Sequence, residues 1–226
     1  MIELRNLTKT FPARRGCKVV IDNANIRFPT GRSVGLMGRN GSGKTTLLQI
    51  IAGVMDHDKG EVLTDGTISY PVGFAGSFHK DLTGAQNVRF VARVYGIETD
   101  ELVRFVEDFV ELGDNFHIPV RHYSAGMRSR LTFGVSMGIY FDTYLIDEVV
   151  SVGDAAFRKK SSLVFQDRMK RSSAIFVSHN LRNVRNLCDA GAVIEDGSLM
   201  YFDNLEEAIT LHLDNMQRFG KESTKG

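Results

Sequence analysis

The stretch that most constrains this chain is GRNGSGKT at residues 38–45. It fits the pattern G-x-x-x-x-G-K-[ST], and its setting gives the pattern meaning. SVGLM at 33–37 reads as a buried strand, and KTTLLQIIAGV at 44–54 reads as a helix ending at Gly53. A strand that feeds a glycine-rich turn and opens a helix can cradle phosphate. Glycines let the backbone curl until successive N–H groups point inward at phosphate oxygens. The helix N-terminus adds the positive end of a dipole. Gly38, Asn40, Gly41, Ser42, Gly43 and Thr46 are therefore candidate nucleotide contacts. Lys44 places a point charge near the β- and γ-phosphates, and the Thr45 hydroxyl is a candidate Mg²⁺ ligand.

Around this turn the chain alternates strand and helix. Residues 2–7 (IELRNL) and 24–29 (ANIRFP) alternate in polarity like half-exposed strands, with VVI at 19–21 as a short apolar companion. EVLTDGTISY at 61–70 reads as two short strands about a DG turn. From 84 to 141 the period is helical: Ala85, Val88, Val91 and Tyr95 share one spacing, and Leu102, Phe105, Phe109 and Leu112 another. Strand and helix alternate again from TYLID (143–147) through AIFVS (174–178) to a last helix near 204–219. Such alternation at both ends predicts an α/β fold with a mostly parallel core sheet. The division expected is one domain, with a core of 1–83 and 142–226 and a helical subdomain at 84–141.

Three further stretches carry chemistry. TYLIDE at 143–148 is an apolar strand ending in two carboxylates. Burial explains Tyr144 to Ile146 but not the acids. Asp147 suits a magnesium shell, and Glu148 suits a base that orients and deprotonates an attacking water. The plainer alternative makes Asp147 a cap and Glu148 a solvated side chain. YSAGMRSRL at 123–131 is a serine-led helix start, so Ser124 is an N-cap candidate. At that positive helix end Ser124 and Gly126 also suit phosphate, provided a second chain brings it there. SHN at 178–180 ends a strand of the same sheet as TYLIDE, which puts His179 where a terminal phosphate would lie.

Composition narrows the function classes. The net charge is +1, from 28 basic and 27 acidic side chains, so no electrostatic case exists for a nucleic-acid partner. Two cysteines, Cys17 and Cys188, stand far apart in no metal-ligand spacing and fit a reducing compartment. No apolar run approaches the roughly 18 residues that span a bilayer, and the N-terminus lacks a signal-peptide core. Any membrane role is expected to come through a partner.

These motifs, in this order and spacing, resemble the nucleotide-binding subunit of an ABC transporter over nearly the whole chain. The resemblance implies a P-loop core with an N-terminal antiparallel β-subdomain and an inserted helical subdomain. It implies ATP and Mg²⁺ as cofactors and a head-to-tail homodimer. Each ATP then lies between the P-loop of one subunit and Ser124 and Gly126 of the other. By position, Phe11 matches the aromatic that stacks on adenine, Asp154 the loop at the dimer interface, and His179 the switch histidine. YPVGFAGSFHKDLTGAQNVRFVARVYG, YSAGMRSRL and LIDEVVSVGD resemble the ATPases of bacterial polysaccharide exporters, the capsular type most closely. Many O-antigen exporters carry a further carbohydrate-binding domain, which favours the capsular type for this chain. Export of O-antigen, teichoic acid or another substrate is the alternative, as is a non-transport ABC ATPase. The place implied is the cytoplasmic face of the bacterial inner membrane, with a separate permease dimer contacted through residues 69–95.

The chain departs from the family pattern at several positions. Ala125 and Met127 stand in the signature where Gly and Gln are common, and Val149 where Pro often follows the catalytic Glu. The larger departure is His79, in the place of a glutamine whose oxygen helps hold Mg²⁺. Gln86 belongs to the later TGAQN helix start and does not replace it. Mg²⁺ prefers hard oxygen ligands, so His79 is expected not to bind it directly. A water-mediated role, a response to permease movement or a plain structural histidine are the readings left. An ordinary P-loop kinase is the rival outside the family, and it gives Ser124 and His179 no task.

Overall fold

The computed structural model describes residues 1–13, 16–72, 78–147 and 153–223. The described chain divides into two compact units. The first takes Met1–Pro71, Phe141–Glu148 and Arg171–Gly226, and the second Val72–Tyr140 and Val149–Lys170.

The first unit holds two sheets. Strands β1 (Ile2–Pro12), β2 (Cys17–Phe28) and β4 (Lys59–Thr64) form an antiparallel sheet in the order β2-β1-β4. The sequence pattern suggests two pieces, 19–21 and 24–29, but β2 is one strand, with register shifts in its pairing to β1 that absorb the break. The second sheet runs β5-β6-β3-β7-β8, from β3 (Ser33–Met37), β5 (Thr143–Asp147), β6 (Ser173–Val177), β7 (Ala190–Glu195) and β8 (Ser198–Phe202). β5, β6, β3 and β7 are parallel and β8 closes the edge antiparallel. Buried on both sides, these parallel strands read as continuous apolar runs. Leu36 of β3 is level with Val177 of β6, which is level with Asp147 of β5. Residues just beyond these three positions therefore emerge along one sheet edge.

Helices α1 (Lys44–Ile51), α6 (Leu181–Leu187) and α7 (Leu205–Ser223) belong to this unit. Its core joins both sheets and α1 through Ile2, Leu4, Leu36, Leu47, Leu145 and Ile194 among others. A further expectation differs from the structure. TISY does not fold back on β4 as a hairpin strand. Asp142 accepts from the Thr67 N–H at 2.7 Å and from its hydroxyl at 2.8 Å. Ile68 then makes a single parallel bridge to Thr143. Those side-chain bonds draw the segment alongside β5, a long-range pairing that local alternation cannot encode.

The second unit is helical: α2 (Gly84–Val94), α3 (Thr99–Val110), two short 3₁₀ turns, α4 (Ala125–Gly138) and α5 (Ala155–Met169). A capping box starts α2, with the Thr83 hydroxyl accepting from the Gln86 N–H and the Gln86 side chain accepting from the Thr83 N–H. Phe109 is its aromatic centre, 5.3 Å from Phe157 and 6.0 Å from Phe133 between ring centroids. Gly134 and Gly138 let α4 approach α3. A Cβ at either would lie 2.6 Å from a side-chain carbon of Val110 or Leu102.

Candidate functional site

The loop between β3 and α1 forms a cleft of about 490 Å³ within the first unit. Positive φ at Gly38, Gly41 and Gly43 supplies the curl, and only glycine adopts it here without strain. A Cβ at Gly38 would also sit 2.3 Å from the Ile194 carbonyl oxygen, so β7 presses directly on the loop. Lys44 is buried, and its ammonium donates to the Gly38 and Arg39 carbonyls at 2.8 Å each. The loop thereby wraps its own cation and holds it at the cleft, whose lining includes Lys44.

The carboxyl ends of the parallel strands bring the other predicted groups to this edge, where open α/β sheets place their ligands. Asp147 at the end of β5 and His179 after β6 both line the cleft with Asn40, Thr45 and Thr46. The Thr45 hydroxyl donates to Asp147 Oδ2 at 2.8 Å. A hydroxyl and a carboxylate oxygen side by side are hard donors of the kind Mg²⁺ takes together with phosphate oxygens and water. These residues fit that ion. Among the described residues no group of three His, Cys, Asp or Glu is placed to hold a metal ion by itself. Glu148 lies outside the described residues.

Phe11, at the end of β1, lines the same cleft and packs against the core cluster. The Lys9 ammonium stands 5.1 Å from its ring centroid. Sequence reasoning missed three further lining residues, Val177 of β6 and, on β2, Lys18 and Val20. Lys18 donates to the Gly41 carbonyl at 3.1 Å and so ties β2 to the phosphate loop. The available signal for the β2 pair was their i, i+2 spacing on one face of a strand. Also missed was Arg39, which pairs with Glu195 at 2.5 Å and Asp196 at 3.0 Å and lies 3.2 Å from the centroid of the Phe219 ring.

Of the remaining predicted residues, Ser42 stands in the phosphate loop of the first unit and the others stand in the second unit. Ser124 caps α4, its hydroxyl accepting from the Met127 N–H at 3.2 Å, and Ser124 and Gly126 are both exposed. Asp154 caps α5 by accepting from the Phe157 N–H at 2.9 Å and pairs with Arg130 at 2.7 Å. The Phe157 bond, followed by Arg130, holds its carboxyl below the usual range. His79 is exposed, and its Nδ1 accepts from the Asp81 N–H at 3.3 Å. Its backbone is pinned by the buried Asn87, which accepts from the His79 N–H at 2.8 Å and donates to its carbonyl at 3.1 Å. Residues 73–77, within the 69–95 stretch expected to meet a permease, lie outside the described residues.

A central strand, a glycine-cradled lysine, and a Thr–Asp oxygen pair at the carboxyl edge of a parallel sheet define a P-loop nucleoside-triphosphate-binding protein. More particularly, the chain belongs to the ABC transporter family, whose model matches residues 21–151. It is 45% identical over 212 residues to the polysialic acid transport ATP-binding protein KpsT of Escherichia coli, covering 92% of this chain and 95% of that protein. It is 38% identical over 208 residues to the capsule polysaccharide export ATP-binding protein CtrD of Neisseria meningitidis serogroup B, covering 92% and 96%. Among solved structures, the dimeric, post-hydrolysis ATP-binding cassette MJ0796 bound to ADP and Pi shares the fold at a TM-score of 0.74. That match has 22% identity and covers 91% of this chain and 99% of that one.

Proposed function

We propose that this protein is the ATP-hydrolysing subunit of an exporter of capsule-type polysaccharide, working as a homodimer beneath a separate membrane permease. The observation that carries the ATPase part is the single cleft that joins Lys44, Thr45, Asp147 and His179. Lys44 holds the β- and γ-phosphates while loop N–H groups orient them. Thr45 and Asp147 would hold Mg²⁺, which when bound offsets charge on the β- and γ-oxygens. His179 faces the terminal phosphate, and Phe11 offers a flat apolar ring to the base. Glu148, one residue beyond Asp147, is the proposed general base for water.

One chain has one phosphate loop and one serine-led signature start, so two copies are needed to pair them. Ser124 and Gly126 of one copy would then meet phosphate bound to the other, and Asp154 would lie near that interface. The similarity to KpsT and CtrD over almost their whole lengths supports polysaccharide as the cargo. Among the described residues no helix is long and apolar enough to cross a membrane; this reading takes the permease as a separate chain. Phe90 at 56% exposure and Val94 at 63%, both on α2, are the apolar surface we assign to it. The complex would sit on the cytoplasmic face of the inner membrane.

The purified protein is expected to hydrolyse ATP, and Lys44→Ala to lower the rate by about 100-fold or more. Glu148→Gln is expected to abolish turnover and to accumulate as a dimer in ATP, read by light scattering. In cells lacking the native gene, surface polysaccharide should return with the wild-type protein and not with Glu148→Gln. Full turnover in Glu148→Gln would remove the assigned base. Restored export by that variant would remove the coupling.

A further inference from the structure

A second cleft, of about 400 Å³, opens beside the phosphate loop. It shares Asn40, Lys44 and His179 with the first and adds Arg39 together with His212 and Met216 of α7. The C-terminal helix is fixed there. Ala208 and Ile209 are fully buried, and a Cβ on Gly191 of β7 would come within 2.3 Å of the Ala208 Cβ. Two turns past His212, Phe219 lies against the Arg39 guanidinium at 3.2 Å. His212 therefore has little freedom to turn away.

Its Nδ1 is buried and has no hydrogen-bond partner. A buried polar nitrogen without a partner is costly and rare in folded proteins. Lys44, His179 and Glu195 are the charged and titratable groups that act on it, and Arg39 lines the same cleft. Glu195 is itself paired with Arg39. The cleft thus sets an ammonium, a guanidinium and two imidazoles around one space, which is a setting for a multiply charged anion.

We infer that His212 is an additional contact for the terminal phosphate of ATP, donating its Nδ1–H to a phosphate oxygen from α7. This rests on the ATPase reading above. Such a contact exists only when the third phosphate is present, so it separates ATP from ADP. It also makes α7 part of the nucleotide switch rather than a passive cover of the sheet. Burial, Lys44 and His179 hold the ring below the usual histidine pKa, consistent with a neutral donor near pH 7.

The test is to titrate full-length protein with ADP and with an ATP analogue whose β–γ bridge is an imido group. His212→Leu is expected to lose about tenfold in affinity for the analogue and to keep ADP affinity, as expected for one hydrogen bond to a charged group. His212→Asn, which keeps an N–H near the Nδ1 position, should recover most of the loss. Unchanged analogue affinity in His212→Leu, or equal losses for analogue and ADP, would overturn the inference. So would a His212→Asn protein as weak as His212→Leu. If the wild-type protein binds neither nucleotide, the ATPase reading falls with it. A normal wild type beside a normal His212→Leu sinks this inference alone.

Discussion

Gly43 shows how much a single residue decides. Its φ is +110°, and a Cβ there would stand 2.3 Å from Val20 Cγ1 on β2. Gly41 also has positive φ, at +76°, but its Cβ would meet only the end of the Lys18 side chain, at 3.9 Å. Both alanine variants therefore carry backbone strain of about 1–3 kcal/mol, and only Gly43→Ala adds a clash with a strand. Gly43→Ala is expected to weaken nucleotide binding by about tenfold or more, and Gly41→Ala by less. Titration with a fluorescent nucleotide separates them; equal losses would show that the Val20 contact is irrelevant. At this scale the sequence was highly legible. The spacing of Gly38, Lys44 and Thr45 announced the phosphate loop because that chemistry is local to eight residues. Lys18 and Val20 were not legible as site residues, because strand pairing and folding across the cleft bring them there.

At the scale of elements, caps set the boundaries. Ser124, Asp154 and Thr83 each accept a backbone N–H at a helix start; α4 and α2 begin where the sequence placed them, and Asp154 sets the start of α5. Asp154 adds a titratable consequence. Its folded pKa lies below the ordinary value of 3.8, chiefly because the Phe157 N–H and then Arg130 favour the charged form. A depressed carboxyl contributes stability above its unfolded pKa and loses it as pH falls through the folded value. Asp154→Asn should therefore be less stable than wild type at pH 7. The difference should begin to shrink near pH 4 and vanish below the folded pKa. Chemical denaturation at pH 7 and in strong acid checks this; a gap that persists in acid would assign the effect to shape rather than charge. TISY marks the limit of local reading: Asp142, more than seventy positions away, decided its path.

Across the first unit, α7 lies closely on the parallel sheet. Gly191 on β7 faces Ala208 and, at 3.2 Å from its would-be Cβ, the Met37 side chain. Gly191→Val forces that layer apart at a cost of about 1–3 kcal/mol. The first thermal transition is expected to fall by several degrees, and affinity for the ATP analogue to fall with it if α7 carries His212 to the phosphate end. A variant with normal melting and normal affinity would show that the layer adapts. The order β5-β6-β3-β7-β8 also sets the site itself, because it levels Asp147, Val177 and Leu36 and so lines up the residues that follow them.

By itself the sequence determined the phosphate loop, the acid-ended and histidine-ended strands, the helical block between them and the family they belong to. Each is written in spacings of a few residues, where backbone geometry and side-chain period are fixed by local sterics. Tertiary structure decided which strand ends share one edge, that Thr45 meets Asp147, and that Lys18, His212 and Phe219 converge on the same loop. Those contacts join residues as far apart as 39 and 219, and no local period records a neighbour that only strand order and helix packing bring near.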